Sequence, residues 1–431
     1  YRNKMKRSMQ RNASKQSQDK DNEKNINQLI TSLFDRSFDG RNRSAEILGK
    51  MDIQDPAKLS EMGRAAESAI EEWGMNQKKF KVMSPSALGK LRSVSLPFLL
   101  EAISRENITM KAMAITALGE AGDKRAVEPL LIALHDRNAY IRRSAVFSLR
   151  KLDDPTTIKP LISMLKDEDR DVKNAAASVL KTMEKPSLDP FLEALKDRDS
   201  FVRKSIAYIL IYVECDEEVV NALIDASNDN DPLVLSNVAL ALGWQGDSRA
   251  APSLIKLLQN DNEEVRIRAA EAFSKVKSEI ALEHLQSALK DSSPWVRARA
   301  AEALGNIDDE GTVTSLIEAW DDHFSDVRRI AADILVEKRE QAVEPLMQML
   351  HHDEAYFRWR SAYALAKIKD TEAIESIKPL LKDNSPEVRY IASKALRLLA
   401  KEVYWQKLLK EHKRKGKSAY IYNIKRHPKK H

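Results

Sequence analysis

Val296-Arg297-Ala298-Arg299-Ala300-Ala301-Glu302-Ala303-Leu304-Gly305 is the stretch on which the fold turns. Val296, Ala300 and Leu304 stand four residues apart and line one face of a helix. An apolar residue, usually followed by a base, returns at Met110-Lys111, Ile141-Arg142, Val172-Lys173, Val202-Arg203, Val234-Leu235 and Val265-Arg266, and again at Val327-Arg328, Phe357-Arg358 and Val388-Arg389. The successive spacings, Val296 included, are 31, 31, 30, 32, 31, 31, 31, 30 and 31. A period this regular marks a repeat array, in which each unit is one supersecondary element.

Other positions keep the same register. Eleven residues before each anchor stand Leu99, Leu130, Leu161, Phe191, Leu223, Leu254, Leu285, Leu316, Leu346 and Ile377; eight after it stand a leucine or, once, Phe273. A small residue sits four after it in most copies, as at Ala145, Ala176, Ala269, Ala300, Ala331 and Ala392, which lets a neighbouring helix come close. Each unit therefore reads as two antiparallel helices, in the 141 repeat from about 126 to 135 and from about 140 to 152. Ser293-Pro294 and Ser385-Pro386 supply a capping hydroxyl with proline at the first helical position. One such pair cannot bury its apolar faces alone, whereas stacked neighbours share a continuous core. The expected fold is all-α, a right-handed α-solenoid. Its expected divisions are a basic extension over 1–24, divergent repeats over 25–93, the regular array over 94–400, and a capping segment with a basic tail over 401–431.

The motifs Ala126-Val127-Glu128-Pro129-Leu130 and Ala342-Val343-Glu344-Pro345-Leu346, the link Leu195-Lys196-Asp197, and Val296–Gly305 together resemble the short HEAT-like repeat named after phycobilisome lyases. The resemblance covers about 300 residues and is specific for the fold. The family spans scaffolds, chromophore lyases and enzyme accessory proteins, so it implies no single activity. It also implies a role for the aspartate five residues before most anchors (Asp136, Asp167, Asp197, Asp229, Asp291, Asp322, Asp383). Similar repeats pair it with the base one after the anchor, in a ladder between neighbouring turns. That ladder should falter at Leu235, Asn260 and His352.

Composition removes several classes. Charged residues make up 32% and Gly and Pro number only 12 and 15, which suits amphipathic helices rather than turn-rich β structure. Cys215 is the single cysteine, so no disulfide framework can form within the chain, and a reducing, cytoplasmic setting is expected. Cys215 is expected in the core rather than as a nucleophile. The longest apolar run, Ile206–Val213, is too short to span a bilayer. No signal-peptide pattern opens the sequence, which begins at Tyr1 rather than Met.

Little suggests chemistry. No histidine pair has metal-ligand spacing on a helix, and His351-His352-Asp353 reads as a solvated turn. Gly89-Lys90 lacks a phosphate-loop framework. The deoxyhypusine hydroxylases, HEAT-repeat enzymes that hold two irons with several His-Glu pairs, are excluded by the lone reversed pair Glu283-His284. Neither a cofactor nor a metal is expected. A lyase or a DNA glycosylase of HEAT-like fold stays open through resemblance alone, although the acidic body argues against the glycosylase.

Binding is the better-supported role. Positions −1, +2, +3 and +6 around the anchor face away from the core and, in similar solenoids, line the concave surface. Here they hold Tyr140, Arg143, Phe147, Phe201, Lys204 and Tyr208, and further on Trp295, Arg299, Arg329, Tyr356, Trp359, Arg360, Tyr363 and Tyr390. Tyr, Trp and Arg dominate interface hot spots, so the expectation is a scaffold or adaptor gripping a protein partner. The bland reading is that some of them tuck under the adjacent repeat and only pad the stack. A net charge of +6 conceals basic ends, +5 over 1–24 and +9 over 401–431, around a body near −8. Lys413, Arg414, Lys415, Lys417, Lys425, Arg426, Lys429 and Lys430, interleaved with Tyr420 and Tyr422, make nucleic acid or a ribosome the alternative partner.

Overall fold

In the computed structural model the described residues are 24–34, 37–75, 83–183 and 188–414. The chain is an all-α solenoid, and no strand occurs among those residues. It divides into two compact units, one ending at Tyr212 and one beginning at Val213.

In the first unit, Phe38–Leu48, the long Pro56–Met75 helix and short Pro85–Lys90 precede the regular pairs. These pairs join Leu96–Ala102 to Ile108–Ala121, Val127–Ala133 to Ala139–Leu152, Ile158–Ser163 to Arg170–Thr182, and Asp189–Ala194 to Ser200–Leu210. The second unit runs from Glu217–Ala226 with Pro232–Gln245 to Ala373–Ile377 with Pro386–Arg414. The ten positions from Leu99 to Ile377 that precede the anchors by eleven residues are all buried. So are the anchors themselves, apart from half-buried Met110.

Short polar side chains start the second helices because the first N–H groups of a helix have no partner within it. Asn138, Asp169, Asp199, Asp231, Asn262 and Ser293 each accept such N–H groups. Close approach of successive second helices explains a glycine in the last turn of several of them. A Cβ on Gly243 would lie 2.7 Å from the Cα of Ala272, and one on Gly119 2.8 Å from that of Ser148.

The ladder is built as follows. In Arg142, Nε and Nη2 donate to both oxygens of Asp167 in the next repeat, each at 2.7 Å, while Nη1 donates to the carbonyls of Asp136 and Arg137 in its own turn. Arg266–Asp291, Arg297–Asp322 and Arg358–Asp383 repeat this arrangement. Lys111 reaches Asp136 at 2.9 Å, and Lys166 rather than Lys173 reaches Asp197 at 2.6 Å. Each aspartate also accepts the N–H two residues on, as Asp167 does from Asp169.

Two local readings are corrected. Cys215 is exposed, not in the core, because the Ser200–Leu210 helix has ended and the residue lies in the link before Glu217. The closing segment is not a separate piece. With no glycine or proline between Pro386 and Arg414 to interrupt it, the last helix runs on to Arg414, leaving Val403 and Tyr404 exposed.

Burial alone would raise the Asp167 carboxyl, but the Arg142 guanidinium and the Asp169 N–H more than reverse this and hold it below the usual range. Asp291 and Asp322 are lowered in the same manner. Depressed carboxyls contribute stability above the unfolded-state pKa and lose it as pH falls through the folded-state value. The urea midpoint should therefore hold steady above about pH 5 and fall below about pH 4. Asp167→Asn should flatten that acid limb and lower stability at pH 7 by about 3 kcal/mol, since it strands a buried arginine. Gly243→Ala should cost about 1–3 kcal/mol by overpacking, read as a lower melting temperature.

Candidate functional site

Two patches emerge on the second helices, one in each unit. In the first, Tyr140, Arg143 and Phe147 follow one another along Ala139–Leu152, where the buried face is taken by Ile141, Ala145 and Leu149. They line a groove of about 590 Å³ with Lys151, Asp171, Asn174 and Ser178. Arg143 lies over the Tyr140 ring at 5.6 Å and faces Asp171 at 3.6 Å. About half of the Tyr140 and Phe147 surfaces is exposed, 52% and 47%, which separates them from stack padding. Phe201 is flanked by Lys204 at 4.6 Å and Lys173 at 5.2 Å. Tyr208 meets Tyr212 edge to face at 5.6 Å, and Lys181 stands over both rings. Lys181 and Tyr208 hold the Tyr212 hydroxyl below its ordinary pKa.

The second patch is less uniform. Trp295 is exposed and packs edge to face on Phe324 at 5.5 Å. Arg299 pairs with Glu302 of its own helix at 2.6 Å, and Arg329 lies between Asp326 and Asp333 at 3.6 and 3.5 Å. These two arginines belong to helix-surface ion pairs, not to the aromatic group. Tyr356, Trp359 and Arg360 do come together: the two rings meet at 5.7 Å, and the guanidinium lies 4.3 Å from one and 5.1 Å from the other. Tyr356 also donates its hydroxyl to the Trp320 carbonyl of the preceding repeat. In this respect it pads the stack as well as facing outward. Lys367 covers Tyr363 at 5.4 Å, and Tyr390 is 68% exposed.

Sequence reasoning missed Tyr212, Trp244, Trp320 and Phe324. Tyr212 and Trp244 stand ten residues after their anchors, one helical turn beyond the +6 position, so the same stripe read further would have included them. Trp244 is exposed beneath Lys275 at 4.2 Å. Trp320 stands seven residues before its anchor, where other repeats bury Leu134, Leu165, Leu258 and Leu350, and Phe324 stands where other repeats carry a capping Asn, Asp or Ser, so the register read further would have included both. Of the basic tail, Lys413 and Arg414 fall at the end of the last helix, without described side chains. Lys415, Lys417, Tyr420, Tyr422, Lys425, Arg426, Lys429 and Lys430 lie outside the described residues. Among the described residues no group of three or more His, Cys, Asp or Glu is placed to hold a metal ion. Nor is any helix there long and apolar enough to cross a membrane.

Stacked helix pairs joined by an Arg–Asp ladder define an α-solenoid. The family model for HEAT repeats matches residues 96–181, 127–211, 188–274, 251–336 and 343–410, and the chain belongs to the HEAT-repeat family. Among solved structures it is similar to Kap121p bound to RanGTP (13% identity, 88% of this chain and 49% of that one, TM-score 0.57). It is also similar to Kap121p bound to Pho4p (13%, 86% and 49%, TM-score 0.56). A third similarity is to Kap95p in a RanGDP structure (12%, 86% and 61%, TM-score 0.51). The chain thus spans between 49% and 61% of the length of these three structures, and the likeness concerns the fold. The sequence matches no curated protein.

The exposure of Cys215 can be checked directly. A thiol reagent such as Ellman's should titrate one equivalent per native chain without denaturant; a thiol that reacts only after unfolding would contradict the placement in the link.

Proposed function

We propose that the chain is a non-enzymatic scaffold that holds a protein partner against the outward face of its second helices. The observation that carries this is the run of half-exposed aromatic and cationic side chains there, where a plain helix surface would hold Glu, Lys or Gln. Tyr, Trp and Arg bury large areas at low entropic cost, and a few such anchors supply most of an interface's energy. In keeping with this, Kap121p, a solenoid of the same fold, has been solved with Pho4p and with RanGTP. Within the HEAT family, Val296–Gly305 resembles the short repeat named after phycobilisome lyases, and the single cysteine suits a cytoplasmic setting. No observation of the described residues favours a lyase or a glycosylase.

A second reading rests on charge. Residues 401–431 carry eleven Lys or Arg against two Asp or Glu, enough to draw the chain to nucleic acid or a ribosome. The two readings separate in one experiment: capture of partners by the tagged full chain from cells of its source, with and without nuclease, identified by mass spectrometry. The scaffold reading expects a protein that survives nuclease and is depleted about tenfold or more by Trp359→Ala with Tyr363→Ala, an effect of hot-spot size. It also expects no loss with Ile132→Ala on an exposed first-helix face. Partners that vanish with nuclease or on deletion of 412–431, and ignore Trp359, would transfer the function to the tail.

A further inference from the structure

Departures from the repeat gather around one point of the second unit. Second helices from Ile108–Ala121 to Pro294–Gly305 open on a side chain that caps their first N–H groups, whereas Ser325–Glu337 and Ala355–Ile368, behind Phe324 and Glu354, have no such cap. The ladder breaks at the same place. Arg328 holds the position that Arg297 and Arg358 hold in their repeats, but the residue due to face it is His352. Where the ladder lapses at Leu235 and Asn260, both members are uncharged and the rung is deleted whole. Between 328 and 352 only the carboxylate is gone. Arg328 keeps the Nη1 bonds to the carbonyls of Asp322 and His323, at 2.7 and 2.9 Å, and has no carboxylate partner among the described residues.

A second cation lies near enough to feel the charge of Arg328. Arg360 lies over Tyr356 and Trp359 and 5.9 Å from the Trp320 ring, with no ion pair or hydrogen bond among the described residues. Its Nε is buried without an acceptor, as are Trp320 Nε1 and Ser361 Oγ. Only one other described side chain, Arg41, leaves a buried polar atom unpaired; of the four orphans Arg360 and Trp320 meet here, and Ser361 follows Arg360 in the chain. Trp320 and Ser361 are fully buried. Burial chiefly, and the charge of Arg328 in addition, depress the Arg360 guanidinium; the Tyr356 hydroxyl opposes this. A desolvated cation without a counter-ion is costly, and rules of local structure are most often broken at functional sites. Asp321 lies close enough to influence Tyr356, yet forms no ion pair with either arginine.

We propose that this cluster is a carboxylate receptor, in which an acidic side chain on an extended segment of the protein partner enters between Arg328 and Arg360 and completes the missing rung from outside. The chain itself shows the chemistry: at four rungs it satisfies the equivalent arginine with the two oxygens of an aspartate. The guanidinium fork matches a carboxylate bidentately, and aromatic walls that exclude water strengthen the pair. Tyr356 and Trp359, each only partly buried, would pack on the segment that carries it. The inference rests on the scaffold reading and names the partner's recognised feature.

The test uses the full chain and a hexaglutamate peptide carrying a benzophenone photo-crosslinker, with adducts mapped by mass spectrometry at physiological salt. Adducts are expected within 356–363, falling about tenfold in Arg360→Met, the scale of one lost charge-assisted pair. His352→Asp should abolish them equally while raising the melting temperature, because it places a carboxylate where Asp322 and Asp383 stand in their own turns; loss of binding there cannot be loss of fold. Adducts that persist in both variants, that are confined to 1–24 and 412–431, or that form equally with hexaglutamine would overturn the receptor. So would a twelve-nucleotide RNA that protects 356–363 while hexaglutamate does not label it, which would reassign the arginines to nucleic acid. If labelling fails while Trp359 and Tyr363 still govern partner capture, the receptor falls and the scaffold stands. Labelling as expected with capture indifferent to Trp359 would remove the scaffold reading instead.

Discussion

The arginine one residue past the anchor carries the construction. At Arg142, Arg266, Arg297 and Arg358 one guanidinium ties two carbonyls of its own turn to the carboxylate of the next, so the position of these helix pairs is transmitted to the neighbour through five-donor geometry that a lysine cannot reproduce. The Arg142–Asp167 pair is almost wholly out of water, with side-chain exposures of 8% and 5%. Such a pair adds little net stability over apolar packing but is expensive to break, and it specifies one arrangement of the stack. The apolar register supplies the driving force; the ladder selects the geometry into which it collapses.

From that geometry the functional surface follows. Anchor, +4 and +8 are committed to the core, and the −5 and +1 positions to the ladder. Close contact along the stack even fixes the residue after the core leucine, as Gly243 against Ala272 shows. What is left on each second helix is a stripe at −1, +2, +3, +6 and +10, free of structural duty and repeated along the unit. Tyr140, Arg143 and Phe147 show the stripe used as a plain groove, and Tyr356 shows it partly drawn back into the stack. The Arg328–Arg360 cluster is a different case, since there the structural code itself is altered and leaves charge uncompensated.

The fold was legible because period is a long-range property of the sequence: thirty-one residues between anchors determine helix, turn and stack together. The patches were legible in part, for the same reason. Tyr140, Phe147, Trp295 and Tyr390 lie exposed where the register placed them. What register could not show is which outward residues find partners nearby. Arg299 and Arg329 are consumed by Glu302, Asp326 and Asp333 of their own helices, through i+3 and i+4 spacings that compete with any outside ligand. Trp320 is buried where other repeats hold a core leucine, and Cys215 is exposed although it follows an apolar run, because the helix ends within that run. The His352 substitution was visible as a gap in the ladder, but its meaning depended on knowing that Arg328 and Arg360 meet no carboxylate.

We propose that the second-helix stripe, and not another face, meets a protein. The most direct test places a photo-crosslinking phenylalanine analogue at position 140, at 359, and at Ile132 on the exposed face of a first helix, each in the full chain in living cells. Protein adducts that resist nuclease are expected from 140 and 359, and none of the same mass from 132. Silence at both stripe positions, or the same adducts from 132, would contradict it.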